Sequence, residues 1–437
     1  MEWYVAAAIL FGTSVALMMV GLPVAISFFA TNIVAAVLFM GGAKGIGQVI
    51  NNGFGAMTSF ALVPIPMFLL MGELFFYTGL ATRFFNATDK LLGNVPGRLA
   101  YVTLLGGTAF AGPAGSSMGA CALLGTLMVP EMMRRGYNKY LSMGPIMGVG
   151  GLAVIIPPSA LTVLLATLGQ TDVGDLLIAG IVPGFVLAVM YGVLIWGWTR
   201  VDPTAAPHYH VEPVPRREKW RLIWVDVLPM VGVIVFSVLI MLIGWATPTE
   251  SAALGALSVV VLAACYGTMT WQAFRKSLEA ALRVTIMSFL IIFGSATFAQ
   301  VLAFTGASSG LVQFFLGFDL SPMGLLFVML GIIFFLGCFM DQLSMMMLTA
   351  PIFFPLARAL GFDLTWFGLI MLLALEIGYT TPPFGLLLFV MKGVAPPGTT
   401  MVDVYKAAAP FIACSLLLIL MLVFFPPLAT WLPQLSH

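Results

Sequence analysis

Four stretches, residues 222–244, 251–269, 284–304 and 407–425, are nearly unbroken runs of apolar side chains. Each is about as long as the roughly 20 residues a helix needs to cross a hydrocarbon core. Lipid offers no partner to a backbone N–H or C=O, so a chain that crosses it must be helical or a closed barrel. The period-two alternation of barrel strands is missing, and the sequence predicts an all-α integral membrane protein, a polytopic helical bundle. Composition agrees: 61% of the residues are hydrophobic and 8% charged, against about 25% charged in a soluble domain. The first apolar stretch, residues 3–20, has no basic residue ahead of it and no Ala-x-Ala cleavage site, so it reads as a retained span, not a signal peptide. Cys121, Cys265, Cys338 and Cys414 sit in apolar runs without Cys-x-x-Cys spacing, which predicts buried thiols and neither a disulfide framework nor a zinc site. A net charge of +1 gives no reason to expect a nucleic-acid partner.

Charge sets the topology. Residues 200–221 hold Arg200, Arg216, Arg217, Lys219 and Arg221 and form the longest polar stretch, which the positive-inside rule assigns to the cytoplasm. Reading backward, 176–198 and 141–168 are spans that return the chain to the cytoplasm at Arg134, Arg135 and Lys139. Residues 98–133 are long enough for two crossings, yet basic residues mark both ends, so they form a hairpin that leaves and re-enters on one side. Its middle, GGTAFAGPAGSSMG at 106–119, suits no continuous lipid-facing helix and belongs in protein or beside a wet cavity at membrane depth. Three further spans, with Arg275 and Lys276 cytoplasmic, lead to a second double-length segment, 321–360, whose flanks are nearly free of basic residues. It is expected to open to the outer face.

The two halves match at one offset. Pro157-Pro158 recurs 225 residues on as Pro382-Pro383, and the same step takes Gly136 to Gly361, Pro130 to Pro355, Gly112 to Gly337 and Phe110 to Phe335. Each half runs as a double-length hairpin, a glycine and a span broken by Pro-Pro. With the charge-based topology the copies have opposite orientation, and inverted repeats with broken helices meeting at mid-membrane are the architecture of secondary transporters.

Each Pro-Pro removes two amide donors and forces the preceding residue out of the helical region, which frees nearby carbonyls. Such carbonyls, near residues 155–159 in one copy and 380–384 in the other, are hard oxygen ligands that suit Na⁺. The helices that restart beyond them present positive dipole ends that suit a carboxylate. Gly112, Gly115, Ser116 and Ser117 lie where the first hairpin turns back into helix, and Gly337, Asp341, Gln342 and Ser344 take the equivalent place in the second. Asp341 carries most weight: a carboxylate in hydrocarbon must face a cavity or a cation, and it can at the same time be the N-cap of the second arm. Glu73 and Glu376 are either buried and hydrogen-bonded or part of the ion path, whereas Glu250 completes a capping box with Thr247. The G-x-S-x-G match at 115–119 has no strand before it and no histidine near it, because His208, His210 and His437 lie in the polar loop and at the C-terminus. Enzymatic hydrolysis is therefore not expected. GGAKGIG at 41–47 lacks the Lys-Ser/Thr of a phosphate loop, so uphill transport needs an ion gradient or a partner as its energy source.

Over essentially its whole length the chain resembles the large membrane subunit of tripartite ATP-independent periplasmic (TRAP) transporters, the dicarboxylate and sialic-acid uptake systems of bacteria. The likeness is carried by FLLMGELFFYTG at 68–79, AGSSMGACALLGTLMVPEM at 114–132, IIPPS at 155–159, DLLIAGIVPG at 175–184, TPTESA at 247–252, residues 337–355 and EIGYTTPPFG at 376–385. The resemblance implies a sodium-coupled elevator in the bacterial inner membrane, with a transport domain of both hairpins and both broken helices sliding on a scaffold. It also implies two partners, a small four-helix membrane subunit and a soluble periplasmic binding protein that delivers a small organic anion, a carboxylate or sulfonate. One Na⁺ site would use Gly112, Ser116 and Ser117 with carbonyls of Ile155, Ile156 and Pro157, and a second Gly337, Asp341, Thr380 and Thr381. The substrate would lie between the tips, near Gly115, Ser159, Gln342, Ser344 and Pro383. The chain departs from the family pattern at Gly112-Pro113, at Phe384 and at Leu386–Leu388, where relatives often carry asparagine. The implied domains are scaffold spans over 1–80, a first repeat over 81–199 (hairpin 98–133, broken helix 141–168), the basic linker 200–221 and spans over 222–304. A second repeat over 305–405 (hairpin 321–360, broken helix 364–392) and a final span over 406–437 complete the chain. The competing readings are a stand-alone ion-coupled anion symporter or exchanger and, third, a passive channel or membrane enzyme.

Overall fold

A computed structural model describes residues 2–110, 117–207, 214–318, 320–383 and 385–436, with the side chain of residue 436 excepted. The described chain is helical throughout. It opens with α1 (Trp3–Met19), α2 (Val24–Phe39), α3 (Ala43–Met57) and α4 (Pro64–Tyr77), then α5 (Leu80–Leu92). The first double-length segment is two helices, α6 (Arg98–Phe110) and α7 (Ser117–Arg134). The first Pro-Pro span is α8 (Lys139–Ile155) and α9 (Ala160–Gly169), bent by 46° at the break. Next come α10 (Val173–Ala179) and α11 (Ile181–Val201), then α12 (Arg216–Arg221), which runs through a π-helical turn at Leu222–Val227 into α13 (Leu228–Leu242). After α14 (Pro248–Cys265) and α15 (Trp271–Phe304) the order recurs: α16 (Ala307–Leu316), the helix pair α17 (Pro322–Gly337) and α18 (Gln342–Ala359), and the broken pair α19 (Leu364–Thr380) and α20 (Leu386–Val394). The chain ends in α21 (Met401–Phe424) and α22 (Pro427–Ser436).

Six described helices are long and apolar enough to cross a membrane, and the bent α8–α9 pair adds a seventh. The helix starts are written in the sequence. Asn138, Ser159, Asp172, Thr270, Ser321, Asp341 and Asp363 each place a side-chain oxygen on a first-turn N–H, and Thr247 with Glu250 forms the expected capping box. Left-handed glycines, Gly79 and Gly306, precede α5 and α16 at matching points of the two halves.

Three expectations need correction. The span expected at 284–304 is the end of one 34-residue helix, α15, about 50 Å long at 1.5 Å per residue, so Arg275 and Lys276 sit on the helix and not in a loop. The linker 200–221 is partly helical, because α12 continues into α13; its residues 208–213, His208 and His210 among them, lie outside the described residues. Of the four thiols only Cys121 is buried; Cys265 is exposed and Cys338 and Cys414 are half-buried. An apolar run in a membrane helix has a lipid-facing side, so apolar neighbours in sequence do not imply burial in protein.

Packing divides the helices into two groups. In one, α4 lies on α14 and α15, α15 on α2 and α3, and α13 on α14. In the other, α8 is surrounded by α6, α7, α19 and α21, and α19 also packs on α17 and α18. At the α17–α19 crossing the backbones nearly touch: a Cβ on Gly337 would lie 2.3 Å from the carbonyl carbon of Gly378, so only glycine fits. The groups meet where α4 packs on α9 and α15 on α18.

Candidate functional site

The breaks and tips lie at the junction of the two groups. At the first break, the Val154 carbonyl accepts hydrogen bonds from the hydroxyls of Ser159 and Thr162, both at 2.8 Å. Ser159 is buried and also caps α9, accepting from the Thr162 N–H, so its hydroxyl repairs the break that the proline pair makes. Ile155 and Pro157 are buried and Ile156 half-buried. At the second break, Thr380 donates to the carbonyls of Glu376 and Ile377, both at 3.0 Å, and Thr381 donates to Ile377 at 2.5 Å. Donation leaves each hydroxyl its lone pairs as acceptors. Pro383 is exposed, and its carbonyl accepts from the Tyr405 hydroxyl of α21 at 2.6 Å.

Asp341 is the N-cap of α18: its Oδ2 accepts from the N–H groups of Leu343 (3.1 Å) and Ser344 (3.4 Å), and its Oδ1 from the Ser344 hydroxyl. The capping role weighed from the sequence is therefore present. Gly112, Gly115 and Ser116 lie outside the described residues, as do Pro113 and Phe384.

Ser117 and Gln342, the first residues of α7 and α18, are both buried and stand 225 residues apart in equivalent places. They meet on one side chain. Glu376 of α19 is 3% exposed, and its Oε2 accepts from the Ser117 hydroxyl at 2.9 Å and from the Gln342 amide. Ser117 also approaches the Gly150 carbonyl at 3.3 Å. The sequence left Glu376 between two roles, and its offset partner, Gly151, gave no hint that the carboxylate bridges the copies. Glu73 is half-buried on α4, whose carbonyl at that residue accepts from Ser277, and it is not among the tip contacts.

Beside this joint is a cavity of about 290 Å³. Met118, Ala160 and Gln342 line it, and these are residues of the first turns of α7, α9 and α18. Three helix N-termini, from both halves, therefore border one space. Leu161 and Leu164 of α9, Asp341, Leu343 and Tyr379 also line it, as do Ile65 and Leu69 of α4 with Val284, Met287 and Ser288 of α15. Among the described lining residues Asp341 is the one carboxylate, and there is no lysine or arginine. The sequence did not mark Tyr379 or the α4 and α15 residues as lining a site, because apolar side chains in spans look alike whether they face cargo or lipid.

A multi-pass helical bundle whose helices break and restart around a central cavity is the build of a membrane transporter. Two solved transporters share the fold: YdaH of Alcanivorax borkumensis (TM-score 0.63, 15% identity, 89% of this chain and 90% of that one) and MtrF of Neisseria gonorrhoeae (TM-score 0.62, 15% identity, 88% and 85%). Residues 11–428 match the family model described as the tripartite ATP-independent periplasmic transporter, DctM component, and the chain belongs to that family. A relative in Pseudomonas aeruginosa, the C4-dicarboxylate TRAP transporter large permease protein DctM, is 32% identical over 388 residues, 87% of this chain and 88% of that protein. The ectoine/5-hydroxyectoine large permease UehC of Ruegeria pomeroyi is 26% identical over 98% of this chain and 99% of its own length. The isethionate permease DctMQ of Oleidesulfovibrio alaskensis is 29% identical over 96% of this chain and 65% of that longer protein. Permeases of this family are multi-pass membrane proteins that work with a small membrane subunit and a periplasmic binding protein.

Proposed function

We propose that this chain is the sodium-coupled, elevator-type permease of a TRAP system in the inner membrane, importing a small organic anion that a periplasmic binding protein delivers. The observation that carries the reading is the convergence of three helix N-termini on one cavity that α4 and α15 also line. Positive dipole ends favour an anion where no basic side chain lines the space. Carboxylates and sulfonates both fit this electrostatics, and the mostly apolar wall suits an anion with a hydrocarbon body.

Sodium enters through Asp341. A carboxylate on the cavity wall repels an anionic substrate across a medium of low dielectric, so cargo binds well only after a cation neutralises it. The nearby donors are carboxylate, hydroxyl and carbonyl oxygens, hard ligands that suit Na⁺. In this reading Gly337, Asp341, Thr380 and Thr381 hold one ion, and Gly112, Ser116 and Ser117 with carbonyls of Ile155, Ile156 and Pro157 hold another. Gly115, Ser159, Gln342, Ser344 and Pro383 lie around the cargo, with Ser159 acting through the start of α9. The residues 98–133 and 321–360 are re-entrant hairpins of two inverted repeats; the 16-residue α17, about 24 Å long, falls short of a core about 30 Å thick. Hairpins and broken helices form the moving body, α1–α4 and α13–α15 belong to the fixed one, and residues 200–221 face the cytoplasm.

The test is uptake into proteoliposomes holding this chain and its small subunit, driven by the loaded binding protein. Accumulation that requires an inward Na⁺ gradient supports the reading. Equal accumulation with choline in place of Na⁺ sinks it.

A further inference from the structure

Glu376 has a position that the transport reading leaves unused. Its Oε2 is shared by Ser117 and Gln342, the residues that begin α7 and α18 and that correspond to each other across the 225-residue repeat. The place equivalent to Glu376 in the first copy is Gly151, so one carboxylate serves both tips and is not duplicated. Room for it is made by the first copy: a Cβ on Gly150 would lie 2.4 Å from Oε1. The carboxylate therefore joins α7, α8, α18 and α19, the second arms of both hairpins and the leading halves of both broken helices.

We infer that Glu376 is a positioning residue that ties the two hairpin tips into one body, so that loosening either tip loosens the other. This rests on the reading of both hairpins as parts of one moving unit, and it adds the element that holds them in register. The physical basis is the cost of an unmade bond in a buried site. When one donor is lost, the carboxylate keeps a single partner, Gln342 or Ser117, and the other tip loses the fixed point against which it was held.

Hydrogen exchange of the full chain in lipid nanodiscs decides this. Ser117→Ala is expected to speed exchange in the first turns of its own α7 and, about tenfold, in those of α18, although α18 lies more than 200 residues away. Gln342→Leu, which keeps the side-chain bulk, is expected to do the reverse, and Glu376→Ala to loosen both, while α13 and α14 keep their wild-type rates. Loosening confined to the mutated hairpin, or spread equally to α13 and α14, overturns the inference. Uptake that ignores Na⁺ would overturn the coupling reading alone, because the exchange pattern is read without transport.

Discussion

The two hairpins share a plan and differ in where they carry charge. In the first, the tip residue that is seen, Ser117, is neutral, while the base is ionic: Arg98 pairs with Asp89 at 2.9 Å and Arg135 with Glu131 at 2.6 Å. In the second the tip holds Asp341, while the base is closed by the caps Ser321 and Asp363, and Arg358 is exposed. Their first arms differ too. Most of α6 is buried, whereas α17 exposes Phe327 and Phe335 to the surroundings. Helix pairs of the same order in the chain thus carry their charge in different places: the first is ionic at its base, and the second has its carboxylate at the start of α18.

The largest expected effect tests the ionic base. Arg98→Ala leaves Asp89, still a quarter exposed, without its closest cation and is expected to cost about 2–3 kcal/mol in thermal unfolding. Arg358→Ala in the second hairpin is expected to cost less than about 0.5 kcal/mol. Equal losses would erase the contrast. Burial already raises the Asp89 carboxyl above the ordinary range, with Arg98 and Arg135 pulling against it. A raised acid takes up its proton more readily in the folded state, so stability grows as pH falls through the raised value. The Arg98→Ala deficit should therefore shrink as pH falls through the raised Asp89 value.

Next is the charged tip. Asparagine caps a helix about as well as aspartate, so Asp341→Asn keeps the α18 cap and removes the charge together with the oxygen that accepts from the Ser344 hydroxyl. The Na⁺ concentration for half-maximal uptake is expected to rise at least about tenfold, equivalent to about 1.4 kcal/mol, with the melting temperature unchanged. The matching change at the neutral tip, Ser117→Ala, is expected to raise it only about two- to threefold, since one hydroxyl oxygen is lost. An unchanged Na⁺ dependence in both variants counts against both ion sites.

The smallest effect lies away from the tips. Glu250→Ala opens the capping box of α14 and is expected to cost about 0.5–1 kcal/mol in thermal unfolding with no change in Na⁺ dependence.

What the sequence made legible follows from how strongly each feature is constrained. Lipid imposes apolarity over a whole span, so α13, α14 and α21 stand out, and the proline pairs mark both breaks. The helix starts at Thr247 and Asp341 were readable because capping is local. The full extent of α15 was not, because WQAFRKSLEAALR at its start is amphipathic and looks like a loop and a separate helix. The meeting of Ser117, Gln342 and Glu376 was also hidden. It depends on how α7, α18 and α19 cross, and no local pattern encodes a contact between residues 259 apart.

The central claim is that both tips move together past α4 and α15. Spin labels at Met118, Phe339 and Ile286, all exposed, give the tip-to-tip and tip-to-α15 distances by pulsed electron resonance with and without Na⁺ and cargo. The account predicts a constant Met118–Phe339 distance while both distances to Ile286 change by several ångströms. A Met118–Phe339 distance that changes while those to Ile286 stay fixed would contradict it.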